Sequence, residues 1–239
     1  MPRLSIVIPT KNEEKVLPKL LDSIKGQTFS DYEIIVADAF STDKTTDIAE
    51  SFGARVIQGG MPGPGRNRGA EAASGELVFF FDADVQLPSI RFLDVCLGEM
   101  QRKKFDVATC KVKPLSRKPI DRALHEAYNA FAVTTEKIRP HAPGFCILVR
   151  REAHRGINGF DEEVVLGEDH DYVQRASKMG FKFGLLRSYP IAVSVRRLEK
   201  DGRLALALKY VYAEMYMLAK GSIKDPLFEY LMGGEDSKP

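Results

Sequence analysis

The chain of 239 residues is 44% hydrophobic and 28% charged, a composition typical of an ordinary globular protein. Its 35 lysines and arginines nearly balance 33 aspartates and glutamates, so the formal net charge of +2 gives no electrostatic case for a nucleic-acid partner. This length can bury the core of one large domain, with or without an appendage.

The cysteine pattern indicates a reducing compartment. Cys96, Cys110 and Cys146 are widely spaced and odd in number, so we expect reduced core residues, and neither a disulfide framework nor a zinc site made of cysteines. The first three residues lead directly into a predicted strand, which leaves no room for a signal peptide, and no apolar run reaches the ~18 residues that a membrane span needs. We therefore expect a cytoplasmic protein.

The first part of the chain alternates strand and helix patterns. Runs rich in β-branched residues predict three strands, over residues 4–9, 32–38 and 54–57. Apolar residues at helical spacing, with a glycine-rich and proline-rich loop at 59–65 before the third, predict helices over residues 16–24, 44–52 and 66–73. This order is typical of a parallel sheet with right-handed crossovers.

Two carboxylates follow the most apolar strand of the sequence. Residues 77–81 are five consecutive apolar residues, which predicts a strand buried on both faces, and Asp82 and Asp84 come directly after it. Ligands of open α/β sheets bind at the carboxyl edge, and a hard cation such as Mg²⁺ or Mn²⁺ would relieve the repulsion between the two carboxylates. Taken alone, such a pair is more often a helix cap and a solvated side chain than a metal site, so the rest of the sequence must decide.

The second part of the chain alternates less regularly. The pattern predicts strands over residues 106–112, 146–149, 181–186 and 191–195. It predicts helices over residues 88–102, 120–138, 167–179 and 204–218. The last helix is apolar nearly all round and follows four cations, so it fits a helix in a membrane interface; a helix packed on the domain, or a dimer contact, is an equal alternative.

Five stretches resemble, in the same order, the motifs of the inverting, nucleotide-sugar-dependent glycosyltransferases of family 2. They are residues 6–13, 33–43, 65–69, 75–85 and the pair 159–162 with 167–171. The resemblance implies an α/β, Rossmann-like GT-A fold with a mostly parallel central sheet flanked by helices and a C-terminal helical extension. The implied division is a GT-A domain over 1–195, with a nucleotide-sugar half at 1–105 and an acceptor half at 106–195, a helical extension over 196–232 and a flexible tail over 233–239.

The resemblance also implies a donor site for a nucleotide-sugar. Asp38 would accept a hydrogen bond from the base, and Arg66 would hold the base or the diphosphate. Asp84 would ligate the Mn²⁺ or Mg²⁺ that bridges the diphosphate, with Asp82 on the ribose or the metal. The other nucleotide-binding positions are Pro9, Thr10, Asn12, Glu13 and Ala83. Family frequency suggests a UDP-sugar.

One position departs from the family pattern. The resemblance leads us to expect a second aspartate directly after Asp38, whereas this chain has Ala39. The way in which the ribose or the base is held is therefore left open.

The expected catalytic base is Asp169, with Glu168 as its neighbour. A metal ion stabilises the departing diphosphate, so the reaction needs no protein acid. It needs a base that takes the proton from the acceptor hydroxyl as this attacks the anomeric carbon from the opposite face. Acidic residues are also common in first helical turns because of the helix dipole, but the four other motifs favour catalysis here.

The acceptor is the least defined part of the prediction. Residues 82–88 resemble those of polyprenyl-phosphate sugar synthases, but a phosphate acceptor is already ionised and needs no base. The Glu168-Asp169 pair therefore favours a hydroxyl-bearing saccharide or lipid-linked acceptor. The candidate acceptor residues are Gly144, Phe145, His170 and Arg196.

The sequence argues against two other functions. A sugar-phosphate nucleotidyltransferase would be expected to carry a glycine-rich basic loop after its first strand, whereas residues 9–12 contain no glycine. A non-catalytic nucleotide-sugar-binding protein of the same fold would be expected to have lost Asp84 or Asp169, and both are present.

Overall fold

The apolar runs of the sequence form the strands of one sheet, and the periodic segments form helices around it. The computed structural model describes residues 1–225. The strands are β1 Leu4–Thr10, β2 Tyr32–Asp38, β3 Arg55–Gln58, β4 Leu77–Phe81, β5 Val85–Gln86, β6 Val107–Pro114, β7 Cys146–Arg150 and β8 Phe183–Val193. The helices are α1 Leu17–Lys25, α2 Thr45–Ser51, α3 Pro62–Ala72, α4 Phe92–Lys103, α5 Pro119–Thr135, α6 Arg151–Gly156, α7 Glu168–Lys178, α8 Arg196–Lys200 and α9 Arg203–Lys220.

The sheet has the strand order β3-β2-β1-β4-β7-β6-β8-β5. The pairs β1–β2, β1–β4 and β2–β3 are parallel, as the alternation of strands and helices predicts. Strand β7 then runs antiparallel between β4 and β6, while β6 and β8 are parallel. The predicted α/β class is confirmed, and both predicted halves contribute strands to the same sheet.

Strand β4 supplies the centre of the core on both faces. All five of its residues are buried. Successive side chains of a strand point to opposite faces, so Phe79 and Phe81 join one cluster with Phe92, while Phe80 packs against Phe160 in the other. Each fully buried phenylalanine contributes about 1.5–3 kcal/mol. A strand fixed this firmly on both sides gives the residues that follow it a rigid base.

The structure differs from the sequence prediction at three places. Helix α3 starts at Pro62, inside the predicted loop, because proline suits the first helical position and costs no hydrogen bond there. Strand β8 is continuous where two strands were predicted, with a register shift between β6 and β8 beside Cys110 and Val112. The short elements α6 and β5 were not predicted.

Helix α9 lies with most of its apolar side chains exposed. Leu206 and Ala213 are its buried residues, whereas Leu204 is 74% exposed. Three of the four cations before or at its start are engaged by carboxylates, since Arg203 binds Asp121, Arg197 lies 3.8 Å from Asp201 and Arg196 binds residues of the first half. Among residues 1–225, no helix combines the length and apolarity needed to cross a membrane. The predictions for residues 226–239 lie outside the described residues.

Candidate active site

The ends of β1 and β2 form one wall of the site. The register of the two strands places Thr10 opposite Asp38, and Pro9 is buried beside them. The Asp38 carboxylate, 7% exposed, accepts hydrogen bonds from Thr10 Oγ1 at 2.9 Å, Ser41 Oγ at 2.6 Å and Ser41 N at 2.8 Å. A carboxylate has about four acceptor positions, so Asp38 is fixed rigidly and retains one position for a ligand.

Asn12 shapes the loop next to this wall. Its φ of 52° is in the left-handed region, which asparagine tolerates better than most residues. Its Oδ1 accepts a hydrogen bond from the backbone N–H of Thr42 at 2.8 Å, and its own N–H donates to Ser41 Oγ at 2.8 Å. Asn12 therefore holds the loops after β1 and β2 together.

Arg66 is buried at the centre of the site and joins its two halves. Its guanidinium, 2% exposed, donates to Asp82 Oδ1 at 2.8 Å and to Glu168 Oε1 at 2.7 Å. Burial alone would lower the pKa of Arg66, but the carboxylates of Asp82 and Glu168 raise it, so the charge is retained. The ring of Phe160 lies 5.4 Å from the guanidinium carbon.

The position of Arg66 depends on a close approach between helix and sheet. A Cβ atom on Gly69 would clash with Cγ1 of Val7 in β1, so only glycine lets α3 pack this tightly. At the other side, a Cβ atom on Gly144 would lie 2.6 Å from Nη2 of Arg66. Gly69 therefore lets α3 approach the sheet, and Gly144 leaves room for the buried guanidinium.

Asp84 forms a second cluster with Glu13 and Arg196. Arg196 donates to Asp84 Oδ2 from Nε at 3.1 Å and to both oxygens of Glu13 at 2.6 Å. Burial raises the pKa of Asp84 to about 6, with the Arg196 charge acting in the opposite direction. Burial likewise raises the pKa of Glu13. Arg196, a predicted acceptor residue, thus lies beside Asp84 and Glu13, two residues that the sequence predicts on the donor side.

The carboxylates at the end of β4 fit a hard divalent cation. Asp82 and Asp84 each use one oxygen in the ion pairs above, and within residues 1–225 the second oxygen of each is in no ion pair. Their side chains are 37% and 15% exposed, and Ala83 between them is buried. Carboxylate oxygens are the ligands that Mg²⁺ and Mn²⁺ prefer. A cation at Asp84 would share this carboxylate with Arg196 or displace the guanidinium.

Asp169 and Glu168 have different partners although they are neighbours. The backbone N–H of Gly144 donates to Asp169 Oδ2 at 2.6 Å, and the N–H of His170 donates to Oδ1 at 2.8 Å. Glu168 instead binds Arg66; burial, and then the Asp169 charge, raise the pKa of Glu168. The arrangement makes Glu168 the anchor of Arg66 and leaves Asp169 available for proton transfer.

The other predicted acceptor residues lie around Asp169. Gly144 contacts both Asp169 and Arg66, and Phe145 packs against the core. The ring of His170 faces Glu214 of α9, with Nδ1 3.8 Å from Oε2. Sequence reasoning missed the Arg66–Glu168 link and the contact of Arg196 with Asp84, since each joins residues more than 100 positions apart.

Comparisons with known proteins show which proteins this chain is similar to. The family model described as Glycosyl transferase family 2 matches residues 5–157. A "PGL/p-HBAD biosynthesis glycosyltransferase" of Mycobacterium bovis is 43% identical over 94 residues, which are 36% of this chain and 37% of that protein. The "Poly(ribitol-phosphate) beta-N-acetylglucosaminyltransferase TarS" of Staphylococcus aureus is 35% identical over 94 residues, covering 35% of this chain and 16% of the relative.

Solved structures share the fold. S. aureus TarS 1–349 in complex with UDP has a TM-score of 0.67 and 23% identity over 81% of this chain and 60% of its own. Glucosyl-3-phosphoglycerate synthase from Mycobacterium tuberculosis, in complex with Mn²⁺, UDP and phosphoglyceric acid, has a TM-score of 0.63 and 20% identity over 94% of this chain and 80% of its own. The matched stretches span about a third or less of the full curated relatives.

Proposed function

The chain belongs to glycosyl transferase family 2, and on that premise we propose that it transfers a sugar from a nucleotide-sugar to a hydroxyl group with inversion at the anomeric carbon. The observation that carries the proposal is the buried Arg66, which binds Asp82 on one side and Glu168 on the other. One rigid ion cluster thereby connects the donor carboxylates with the residue next to the proposed base. If Asp82 and Glu168 were only solvated surface carboxylates, no buried arginine would be needed to join them.

The donor half binds the nucleotide and the diphosphate. Asp38 offers its remaining acceptor position to the base, and the turn at Pro9 and Thr10 supports it. Within the described residues, Nε of Arg66 has no hydrogen-bond partner; because this atom is buried, a ligand oxygen would reach its N–H only after a neighbouring side chain moves. Asp84 and Asp82 would hold Mn²⁺ or Mg²⁺, which supplies Lewis-acid stabilisation of the leaving diphosphate when bound. A UDP-sugar is the proposed donor, in line with the neighbours crystallised with UDP.

The acceptor half prepares the nucleophile. Asp169 takes the proton of the acceptor hydroxyl, and its carboxylate is oriented by the N–H groups of Gly144 and His170. A single base on the acceptor side is what an inverting displacement requires, since the leaving group is stabilised separately. General-base catalysis of this kind contributes about 10²–10⁴-fold to the rate.

The proposed location is the cytoplasm, with peripheral membrane contact through α9 as a further element. The free and buried Cys96, Cys110 and Cys146 are consistent with a reducing compartment. The exposed apolar residues of α9, among them Leu208 and Met215, would suit a membrane interface from which a lipid-linked acceptor is reached. A polyprenyl-phosphate acceptor is the second candidate, and it would make Asp169 dispensable.

The test begins with the donor. Calorimetric titration of UDP-, GDP- and dTDP-sugars, with Mn²⁺ and then with EDTA, should reveal one donor whose binding depends on the metal. No binding of any donor to folded protein would contradict the proposed donor site.

The Asp169→Asn variant then tests the base. We expect transfer to fall by about 10²-fold or more while donor affinity stays within a few fold. Asp171→Asn is the matched control, because this carboxylate is in the same helical turn but binds Arg175 and Ser222. Normal transfer by Asp169→Asn would make the base assignment wrong, and a product with retained configuration by NMR would exclude inversion.

A further inference from the structure

Three side chains meet beside α7, and two of them, His141 and Glu214, are not among the predicted site residues. His141 belongs to the segment between α5 and β7, His170 to the first turn of α7, and Glu214 to the middle of α9. Nε2 of His141 lies 2.9 Å from Oε1 of Glu214, and Nδ1 of His170 lies 3.8 Å from its Oε2. The two imidazole rings are 4.9 Å apart and nearly perpendicular. Residues distant in sequence thus present two nitrogens and a carboxylate to one point.

Several features of this cluster fit a bound metal. One ligand atom from each residue lies within 4.8 Å of the other two. The His141 side chain is fully buried, and Nδ1 of His170 is a buried nitrogen without a hydrogen-bond partner in the part of the chain described. Thr135 Oγ1 lies 3.2 Å from Nδ1 of His141 and fixes the orientation of that ring. In metal-bound histidines, a hydrogen bond to the ring nitrogen that does not bind the metal has the same effect. A cation bound between this nitrogen and the carboxylate that it faces would satisfy both groups.

The donor set fits zinc. Two imidazoles and one carboxylate form a common zinc ligand set, with bonds of about 2.0–2.2 Å and an open fourth position for water. Bonds of that length place tetrahedral ligands about 3.3 Å apart, so the present separations would close by about 1.5 Å at most through side-chain rotation. The oxygen-rich cluster of Asp82 and Asp84 suits Mg²⁺ or Mn²⁺, whereas imidazole nitrogens suit Zn²⁺.

The surrounding charges are mixed. Arg139 lies 2.7 Å from Glu214 Oε1 and is the present counter-charge of that carboxylate. On the other side, Asp169 Oδ1 lies 3.9 Å from Nε2 of His170. A divalent ion would take over the role of Arg139, whose side chain is 19% exposed.

We propose that His141, His170 and Glu214 form a zinc site that fastens α9 to the first turn of α7. The metal would hold His170, and through the chain its neighbour Asp169, in a fixed place relative to the C-terminal helix. The metal site is inferred from the geometry of these three side chains alone, and it does not depend on which reaction the chain catalyses. A protein with this site and a different activity would bind zinc equally well.

The experiment uses the full chain without a polyhistidine tag. After treatment with a chelator, Zn²⁺ alone is titrated in competition with a chromophoric chelator, and Co²⁺ is added to a parallel sample as a spectroscopic probe. We expect one Zn²⁺ per chain and the intense visible absorption of four-coordinate Co²⁺. The Asp84→Ala variant should bind zinc as the wild type does, which separates this site from the carboxylates at the end of β4.

Variants locate the ligands. His141→Ala and Glu214→Gln should each weaken zinc binding by more than about 100-fold, whereas His125→Ala should have no effect, because this histidine on α5 contacts the backbone oxygen of Asp121. Circular dichroism shows whether each variant is folded. If a variant is unfolded, the Co²⁺ spectrum of the wild-type protein still tests whether the metal site exists. Zinc binding that is absent, that is lost only in Asp84→Ala, or that survives in Glu214→Gln would overturn the proposal.

Discussion

Replacing Gly144 by alanine tests whether the site depends on the packing between Arg66 and the loop before β7. The added Cβ would lie 2.6 Å from Nη2 and 3.0 Å from Cζ of Arg66, roughly 0.8 Å short of the 3.4 Å at which ordinary contacts begin. The guanidinium cannot withdraw easily, because it is 2% exposed and is held by Asp82 and Glu168. Either Arg66 or the loop must therefore move by most of that distance.

Both movements disturb the proposed reaction. If the loop moves, the 2.6 Å hydrogen bond from the Gly144 N–H to Asp169 is lengthened or lost. If Arg66 moves, its bonds to Asp82 and Glu168 are strained. A misplacement of about 1 Å can cost about 100-fold in rate, so we expect Gly144→Ala to lower kcat by about that factor with a smaller change in KM.

The assay measures release of nucleoside diphosphate from the donor identified by calorimetry. Gly98→Ala on α4 is the matched control, because its Cβ would lie 3.4 Å from the mobile end of Arg102. That variant should keep full activity and gain about 0.5–1 kcal/mol of stability, as alanine does in place of glycine within a helix. If folded Gly144→Ala retains kcat within threefold, the argument that this contact positions the site is refuted.

Two further predictions concern the ion pairs that hold the second half of the chain. Arg196→Gln should strengthen binding of Mn²⁺ in the absence of nucleotide by about 10-fold, because the guanidinium that competes for Asp84 is removed. Electron paramagnetic resonance of free Mn²⁺ measures this affinity, and unchanged or weaker binding would contradict the prediction. Asp121→Asn should cost about 1–3 kcal/mol in urea unfolding, because Asp121 is fully buried and accepts two hydrogen bonds from Arg203. These bonds lower the pKa of Asp121 from 3.8 to about 2, so their contribution is full above pH 4 and is lost as the pH falls through 2. The variant should lack this part of the acid dependence, and the exposed control Glu199→Gln should change stability far less.

Local patterns were sufficient for most individual elements. Strands β1, β2, β4 and β7 and helix α7 lie where the apolar runs and periodicities place them, because burial on the sheet dictates those patterns. Helix α3 was placed too late, since glycine and proline at residues 62–65 disfavour a helix interior but suit its first turn and its contact with β1.

Site residues that directly follow a predicted strand were also predictable, whereas the residues that contact them from distant parts of the sequence were not. The position of Asp82 and Asp84 after β4 follows from the strand that precedes them. The insertion of β7 between β4 and β6, and with it the place of Gly144 next to Arg66, depends on strand pairing across more than 60 residues. No local pattern encodes such pairing. The same is true of the contact between Arg196 and Asp84, which are 112 positions apart in the sequence.

Because Arg66 binds Asp82 and Glu168 at once, the two substrates of the proposed reaction should not bind independently. A donor that binds to Asp82 would weaken the ion pair between Asp82 and Arg66. The guanidinium would then interact more strongly with Glu168, which is next to Asp169. Thermodynamic linkage requires that the acceptor change the affinity for the donor by the same factor as the donor changes the affinity for the acceptor. Titrating the donor with and without the acceptor, and the acceptor with and without the donor, would measure one coupling free energy in two ways, and Arg66 is the residue through which it would act.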